Sequence, residues 1–317
     1  MKPPYEITPR ILKLVSSISE GMGEVNSSFL HKPSPQLRKQ NRIQTIQSSL
    51  KIEGNTLTEE QITALVEKKR VLGPRKDILE VVNAIQVYDL IREFKPTSEV
   101  DFLKAHSILM SGLGAISGEY RNKGVGIVKG NQVKHIAPPY SNVPSLMKEL
   151  FDYLKNDDDL PLIKSCVFHY ELEFIHPFED GNGRMGRLWQ TVILLNEYDV
   201  FEFLPFETLI NKSQEEYYQA LSKSDMAGNS TCFLEYMLEV IDQSLKLLLN
   251  AHRPLIRDVE RLEYFISKGM KEFTRKDYRK VFKNISAATA SRDLKKGIEL
   301  KWLESKGEIN QTKYFVK

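Results

Sequence analysis

Between His176 and Arg187 the chain sets a base, an acid, flexible backbone and two arginines in one short run: His176-Pro-Phe-Glu-Asp-Gly-Asn-Gly-Arg-Met-Gly-Arg187. Gly181, Asn182 and Gly183 stand just ahead of a new apolar helix, so successive N–H groups can converge on one concavity. A helix start adds partial positive charge and free donors, and together these suit a phosphate. Arg184 and Arg187 lie three residues apart in the first turn and face the same way. Cations there oppose the helix dipole, at a cost of up to about 1 kcal/mol, which makes sense with a polyanion between them. Asp180 is a hard oxygen ligand, suited to a Mg²⁺ that keeps most of its waters and bridges phosphates. His176, held by Pro177, ends the preceding helix, and a neutral imidazole there can take the proton from a hydroxyl nucleophile. Each residue alone also fits a glycine-rich interhelical turn with solvated arginines and a capping acid. Together they fit one reaction.

A further carboxylate stands far upstream, in Ser49-Leu-Lys-Ile-Glu53-Gly54-Asn55. Ile43, Ile46 and Leu50 mark the buried stripe of a helix that Gly54 is suited to end, and Thr58-x-x-Gln61 is a capping box opening the next. Glu53 then lies in the last helical turn, where its charge opposes the dipole. Such a carboxylate invites a partner, an arginine above all; a solvated helix end is the alternative.

The elements that must position these residues are mostly helices. Apolar residues recur at three- and four-residue steps through Ile11–Ile18, Ile43–Leu50, Ile78–Leu90 and Leu146–Leu154. Ile163–Phe174 and Leu188–Leu195 are apolar on nearly every face, the mark of central, buried helices. Val125–Val128 and Gln132–Ile136 predict a short hairpin turning at Gly130-Asn131, and Ala137-Pro-Pro139 stops it.

At 317 residues, 41% hydrophobic and 27% charged, the chain has the composition of a soluble protein of about two domains. No apolar run reaches the ~18 residues of a membrane span, and the N-terminus has no apolar signal-type core. Cys166 and Cys232 lack metal-ligand spacing and read as reduced core thiols of a cytoplasmic protein. From Leu255 to Lys317 there are 16 Lys+Arg against 9 Asp+Glu, while the remainder holds 29 against 33. That shift near His252-Arg253-Pro254 marks a domain boundary, and the basic side suits nucleic acid or a solvated face.

The run from His176 to Arg187 resembles the signature of the Fic family, His-x-Phe-x-(Asp/Glu)-Gly-Asn-Gly-Arg-x-x-Arg, at every specified position. Gly118-Glu-Tyr-Arg121 and the hairpin look like the family's approach to its active-site flap, and Tyr217-Tyr218 like its later helix. The resemblance implies a mainly α fold: a helical region over 1–95, a Fic core with a short β-hairpin flap over 96–252, and a further domain over 253–317. It implies a protein adenylyltransferase that moves AMP from ATP to Ser, Thr or Tyr hydroxyls of target proteins, itself included. His176 is then the general base, Asp180 holds Mg²⁺, and the amides of Gly181, Asn182 and Gly183 bind the α- and β-phosphates. Arg184 and Arg187 neutralise the β/γ end, and Phe178 anchors the loop. Tyr217 and Tyr218 serve the adenine end, and Lys134, His135 and Ile136 belong to the flap, which holds the target segment by main-chain pairing. Asp225 stands where relatives often carry Asn, which keeps UTP or GTP open as donors. Ser49, Glu53 and Gly54 match the family's inhibitory motif, so Glu53 is expected on Arg187, keeping the γ-phosphate out of line. Some relatives also remove AMP from their targets with the equivalent Glu.

Beyond Pro254, Ile256–Ile266 predicts one helix, Thr274 caps a second over Arg275–Phe282, and Ser286 caps a third ending at Gly297. The third is expected to expose Thr289, Ser291, Arg292, Lys295 and Lys296. Lys301-Trp-Leu and Lys313-Tyr-Phe-Val flank Ser305-Lys306-Gly307 as a two-stranded wing. This pattern resembles a winged helix-turn-helix, which implies α-helical contacts in a DNA major groove with lysines on phosphates. Docking to a protein, or to a second copy as a homodimer, is the other use of such a domain. The alternative for the whole chain is therefore a DNA-binding transcriptional regulator whose Fic domain senses nucleotide.

Overall fold

Apolar stripes and capping residues set most helix boundaries in the computed structural model, which describes residues 2–27, 34–114, 116–124, 126–129, 132–251, 258–282, 285–307 and 312–316. Two compact units form, Met1–Asn250 and Ala251–Lys317. The first therefore joins the expected helical region 1–95 to the core that follows. It begins with α1 (Pro9–Ser27), α2 (Pro35–Ile52), α3 (Glu59–Val66), α4 (Arg75–Asp89) and α5 (Glu99–Leu109). Ser34 caps α2 by accepting the Leu37 N–H, and Pro35 occupies its first turn. Thr58 and Gln61 make the expected reciprocal capping box on α3.

A two-stranded ribbon follows, β1 (Gly126–Lys129) antiparallel to β2 (Gln132–Ile136). The pairing Ile127–His135 is followed by Val128–Val133, so Lys134 is the extra residue of a bulge. Val125 and the Gly130-Asn131 turn lie outside the described residues, as do the side chains of Lys134, His135 and Ile136.

Then come α6 (Val143–Asn156), α7 (Pro161–Ile175), α8 (Asn182–Leu195), α9 (Glu207–Lys212), α10 (Gln214–Ala227) and α11 (Thr231–Ala251). The pair α7 and α8 forms the centre, and α8 is buried along nearly its whole length, as its apolar circumference requires. Their close approach depends on Gly186, where a Cβ would stand 2.6 Å from the His169 ring. Phe102 of α5 gathers Phe151, Phe168, Phe178 and Trp189 around itself, with ring centroids 5.1 to 6.0 Å away. Aromatic clustering of this kind fixes the floor on which the loop between α7 and α8 rests. Cys166 is a buried free thiol, whereas Cys232 is only half-buried, a correction to its expected core position.

The second unit contains α12 (Asp258–Ser267), β3 (Glu272–Thr274), α13 (Arg275–Val281), α14 (Ala287–Glu299), β4 (Leu303–Lys306) and β5 (Lys313–Val316). Its sheet has the order β3-β5-β4, all antiparallel, so a third strand joins the expected two. Only three residues long, β3 offered too little alternation to be read from sequence. Leu262, Phe265, Phe273, Tyr278, Ala290, Leu294 and Leu303 make its core. Arg261 reaches into that core and pairs with buried Asp293 through two hydrogen bonds, while Tyr278 donates to the same carboxylate at 3.2 Å. The expected boundary at His252-Arg253-Pro254, the start of its first helix at Ile256 and the turn at Asn284 lie outside the described residues.

Candidate active site

His176 ends α7 in the left-handed region, at φ 49°, with its N–H on Leu172 O at 2.9 Å. That conformation disfavours side chains with a Cβ, so it persists only where the surroundings fix it. Arg121 does the fixing. Its buried guanidinium donates to the carbonyls of His176 (2.8 Å), Lys123 (2.9 Å), Pro138 (2.5 Å) and Ile175 (3.3 Å), and its N–H to Pro177 O (2.8 Å). One side chain thereby ties the end of the hairpin to the end of α7, where a cation also meets the negative pole of the helix.

Beyond Pro177 the loop is pinned by three side chains. Phe178 is fully buried and stacks on His106, ring centroids 3.6 Å apart and nearly parallel. Asn182 closes the loop on itself, accepting the Phe178 N–H (2.9 Å) and donating to its carbonyl (3.0 Å). His106 accepts the Gly118 N–H on Nδ1 (2.9 Å), which leaves its proton on Nε2, facing Asp180 O at 3.0 Å. Burial holds this histidine down at about 4, so it stays neutral and keeps both bonds near pH 7. Gly181 adopts φ 87°, and a Cβ there would come within 2.8 Å of Met110 Sδ. Only glycine fits.

The N–H groups of Asn182, Gly183 and Arg184 begin α8 without intrahelical acceptors, a set of donors whose geometry suits an anion. The Gly181 N–H, expected to meet phosphate, here donates to Asp180 Oδ1 at 2.6 Å. Burial pushes the Asp180 carboxyl up, but the charge and hydrogen bond of Arg184 outweigh it and hold the group below its ordinary value. Its side chain is 51% exposed and Arg184 Nη2 donates to Oδ1 at 2.8 Å.

The two arginines turn to different partners. Arg187 is buried and donates from Nε to Ser49 Oγ (3.0 Å), and from Nη2 to Ser49 O (3.0 Å) and Glu53 Oε1 (2.7 Å). Burial works against its charge, yet the carboxylate of Glu53 more than compensates and keeps it firmly protonated. Glu53 caps α2, and Gly54 follows at φ 92° with its N–H on Lys51 O. Gly183 leaves room for this pair, since a Cβ on it would stand 2.5 Å from Glu53 Oε1. Gln214 of α10 holds the same segment from outside, donating to Ile52 O at 2.8 Å. Arg184, by contrast, faces Asp180 and buried Glu80.

Tyr217 is buried, and its hydroxyl meets His169 Nε2 at 3.0 Å, with His169 Nδ1 on Gln190 Oε1 at 2.7 Å. Tyr218, 40% exposed, is the one of the pair at the surface. Asp225 accepts the Tyr170 hydroxyl at 2.9 Å. On α14, Arg292 and Lys295 are exposed, as is the Lys296 side chain at 43%, whereas Thr289 and Ser291 are half-buried, contrary to expectation. The reason is local: Ser291 donates to Ala287 O and accepts from Arg275, and Thr289 packs on the Ser286 cap. Sequence reasoning missed His106, Glu80 and Gln214, none of which carries a spacing signal. Arg121 and Asn55 were visible only as members of longer runs.

Fold and loop together define a class: a helical scaffold with a glycine-rich turn between its two central helices, and a histidine at the entrance to that turn. The chain belongs to the Fic/DOC family. Residues 96–194 match the family model, and a Fic family protein from Desulfovibrio desulfuricans G20 is 41% identical with a TM-score of 0.77, the match covering 100% of this chain and 98% of that one. The protein adenylyltransferase fic-1 of Caenorhabditis elegans is 26% identical over 261 residues, 77% of this chain and 49% of its own length. Protein adenylyltransferase Fic of Drosophila willistoni is 27% identical over 250 residues, 74% of this chain and 48% of its own. The chain thus spans about half the length of the curated relatives it matches. A solved Caenorhabditis elegans Fic-1 structure, at 20% identity and a TM-score of 0.63 over 77% of this chain and 73% of that one, shares the fold.

Proposed function

We propose that this chain is an autoinhibited protein adenylyltransferase that transfers AMP from ATP to hydroxyls of target proteins, itself included. The observation that carries this reading is Glu53 seated on Arg187 at 2.7 Å, above the glycine turn that follows His176. In the reaction the target's hydroxyl oxygen bonds to the α-phosphorus as the bond to the β-phosphate oxygen breaks. His176 takes the hydroxyl proton, and pyrophosphate leaves with its charge met by Arg184 and Arg187. Positioning and charge neutralisation supply most of the acceleration in such transfers. The head of α8 receives phosphate oxygens, and the hairpin pairs with the target segment. Glu53 occupies the arginine that the γ-phosphate needs, which is the brake. The same carboxylate is the group that would orient a water for removal of AMP from a modified target.

Among the described residues no cluster of three metal-ligating side chains exists. Asp180 nevertheless suits Mg²⁺, because a half-exposed carboxylate with Oδ2 outside its hydrogen bonds fits an ion bound by one acid, phosphates and waters. Held by Asp180, the ion would offset the negative charge of the phosphates. Asp180→Ala should then abolish transfer of label from α-³²P-ATP and flatten the Mg²⁺ dependence of ATP binding. Unchanged Mg²⁺ titration curves would remove Asp180 as the ligand. Label passing from γ-³²P-ATP instead would make the protein a kinase and end the adenylyltransferase reading.

For the second unit the proposal is a winged helix that docks DNA or a protein partner. The exposed Arg292 and Lys295 on α14, beside an antiparallel sheet of order β3-β5-β4, support it. Full-length protein should shift DNA fragments in a salt-dependent way, and Arg292→Glu with Lys295→Glu should remove most of the shift. An unaltered shift in that variant would place DNA elsewhere. No described helix is long and apolar enough to cross a membrane. A cytoplasmic setting is the proposal that the free thiols Cys166 and Cys232 support.

A further inference from the structure

Glu80 stands outside the loop, on α4, yet it reaches Arg184 in the first turn of α8. The Arg184 side chain is only 5% exposed and is gripped from two elements, Nη2 on Asp180 Oδ1 at 2.8 Å and Nη1 on Glu80 Oε1 at 3.4 Å. Its buried Nε–H has no hydrogen-bond partner among the described residues. Asp180 is half open to solvent, whereas Glu80 is buried. The other oxygen of Glu80 accepts Asn55 Nδ2 at 2.8 Å. Asn55 is itself locked, because Nδ2 also donates to Asp77 O (3.1 Å) and Oδ1 accepts the Leu57 N–H (3.1 Å). Lys76 Nζ lies 3.9 Å from the Oε1 that faces Arg184. A guanidinium this deeply buried needs a fixed anion, since an unpaired buried charge costs far more than a paired one. Two carboxylates on different elements also fix the plane of the guanidinium fork, which a single exposed acid would not do.

We propose that Glu80 is the positioning residue that aims Arg184 at the β- and γ-phosphates of ATP, and that Asn55 of the braking segment holds Glu80 in place. This rests on the adenylyltransferase reading above and adds a residue to its nucleotide site. It also connects the two arginines: Glu53 holds Arg187 directly, while Asn55, two residues further on, holds Arg184 through Glu80. The segment that blocks one arginine therefore prepares the other.

The test is nucleotide binding by a full-length, unbraked and catalytically silent protein, Glu53→Gly with His176→Ala. Calorimetry gives its affinities for ATP and AMP with and without Glu80→Gln, which keeps the size of the side chain and an oxygen for Asn55. Loss of one charge-assisted contact predicts ATP binding roughly tenfold weaker. AMP binding should stay within about twofold, because AMP lacks the phosphates that Arg184 meets. In an Arg184→Ala background the same Glu80→Gln change should leave ATP affinity unaltered, as expected of a residue that acts through Arg184. Parallel loss of ATP and AMP would make Glu80 structural only, and unchanged or tighter ATP binding would make it a bystander or a competitor; either result overturns the proposal. Should Glu80→Gln yield little folded protein, Glu80→Asp answers the same question: a several-fold loss selective for ATP supports the role, and an unchanged ATP-to-AMP ratio overturns it. Failure of the parent protein to bind ATP at all would overturn the adenylyltransferase reading, and this inference with it.

Discussion

Glu53→Gly raises transfer of label from α-³²P-ATP, to the protein itself or to lysate proteins, by roughly ten- to a hundredfold over the native chain. The magnitude follows from removing one partly buried, charge-assisted partner of Arg187, an interaction of about 1.5–3 kcal/mol. The Glu53–Arg187 pair is 2.7 Å long, and Glu53 is 32% exposed, so solvent screening places the effect in the lower part of that range. Arg187 stays in place in the variant, because Ser49 still offers it Oγ and a main-chain carbonyl. Gly54 already ends α2 at φ 92°, so a second glycine beside it leaves the cap geometry intact. Parallel reactions with labelled UTP and GTP separate donors. If Glu53→Gly labels no better than the native chain with any donor, the brake is absent, and a DNA-binding regulator that senses nucleotide becomes the better description.

His176→Ala, placed in the Glu53→Gly background, abolishes that released transfer by roughly 10²–10⁴-fold while ATP binding persists. The loop should survive the change. The left-handed turn at position 176 is held through main-chain atoms, by Leu172 O and by the donors of Arg121, and alanine keeps all of them. Alanine inherits the same backbone strain, of order 1–2 kcal/mol, that histidine bears now. Calorimetric ATP binding reports on the site separately from chemistry, so a folding failure is distinguishable from a lost base. Full transfer by the double variant would end the role assigned to His176.

The motif from His176 to Arg187 was legible because its meaning lies in local spacing. Glycines that permit a left-handed turn, an acid beside them and arginines in the next helical turn are near neighbours in any fold that lets α8 form. The caps at Thr58, Thr274 and Ser286 and the helix stop at Gly54 were legible for the same reason: each contact spans a few residues. All-round apolarity of α7 and α8 announced the centre of the protein. A partner for Glu53 was invited by its place in a helix end, and family resemblance pointed to Arg187.

What only the tertiary structure decided is which distant side chains meet. Glu53 and Arg187 are 134 residues apart, and Arg184 and Glu80 are 104 apart, so nothing in local periodicity fixes either pair. Three-residue spacing put Arg184 and Arg187 on one side of α8, yet α4 and α2 approach that side at different places and each arginine takes its own carboxylate. His106 looked like an ordinary helical residue until packing laid Phe178 flat against its ring and brought Gly118 and Asp180 to its two nitrogens. Tyr217 and Tyr218 are adjacent in sequence, but α10 turns one toward buried His169 and leaves the other at the surface. Sequence determines which groups a helix can offer. Packing determines what each one faces, and burial then makes the pairing compulsory, because a polar group removed from water must find its partner inside.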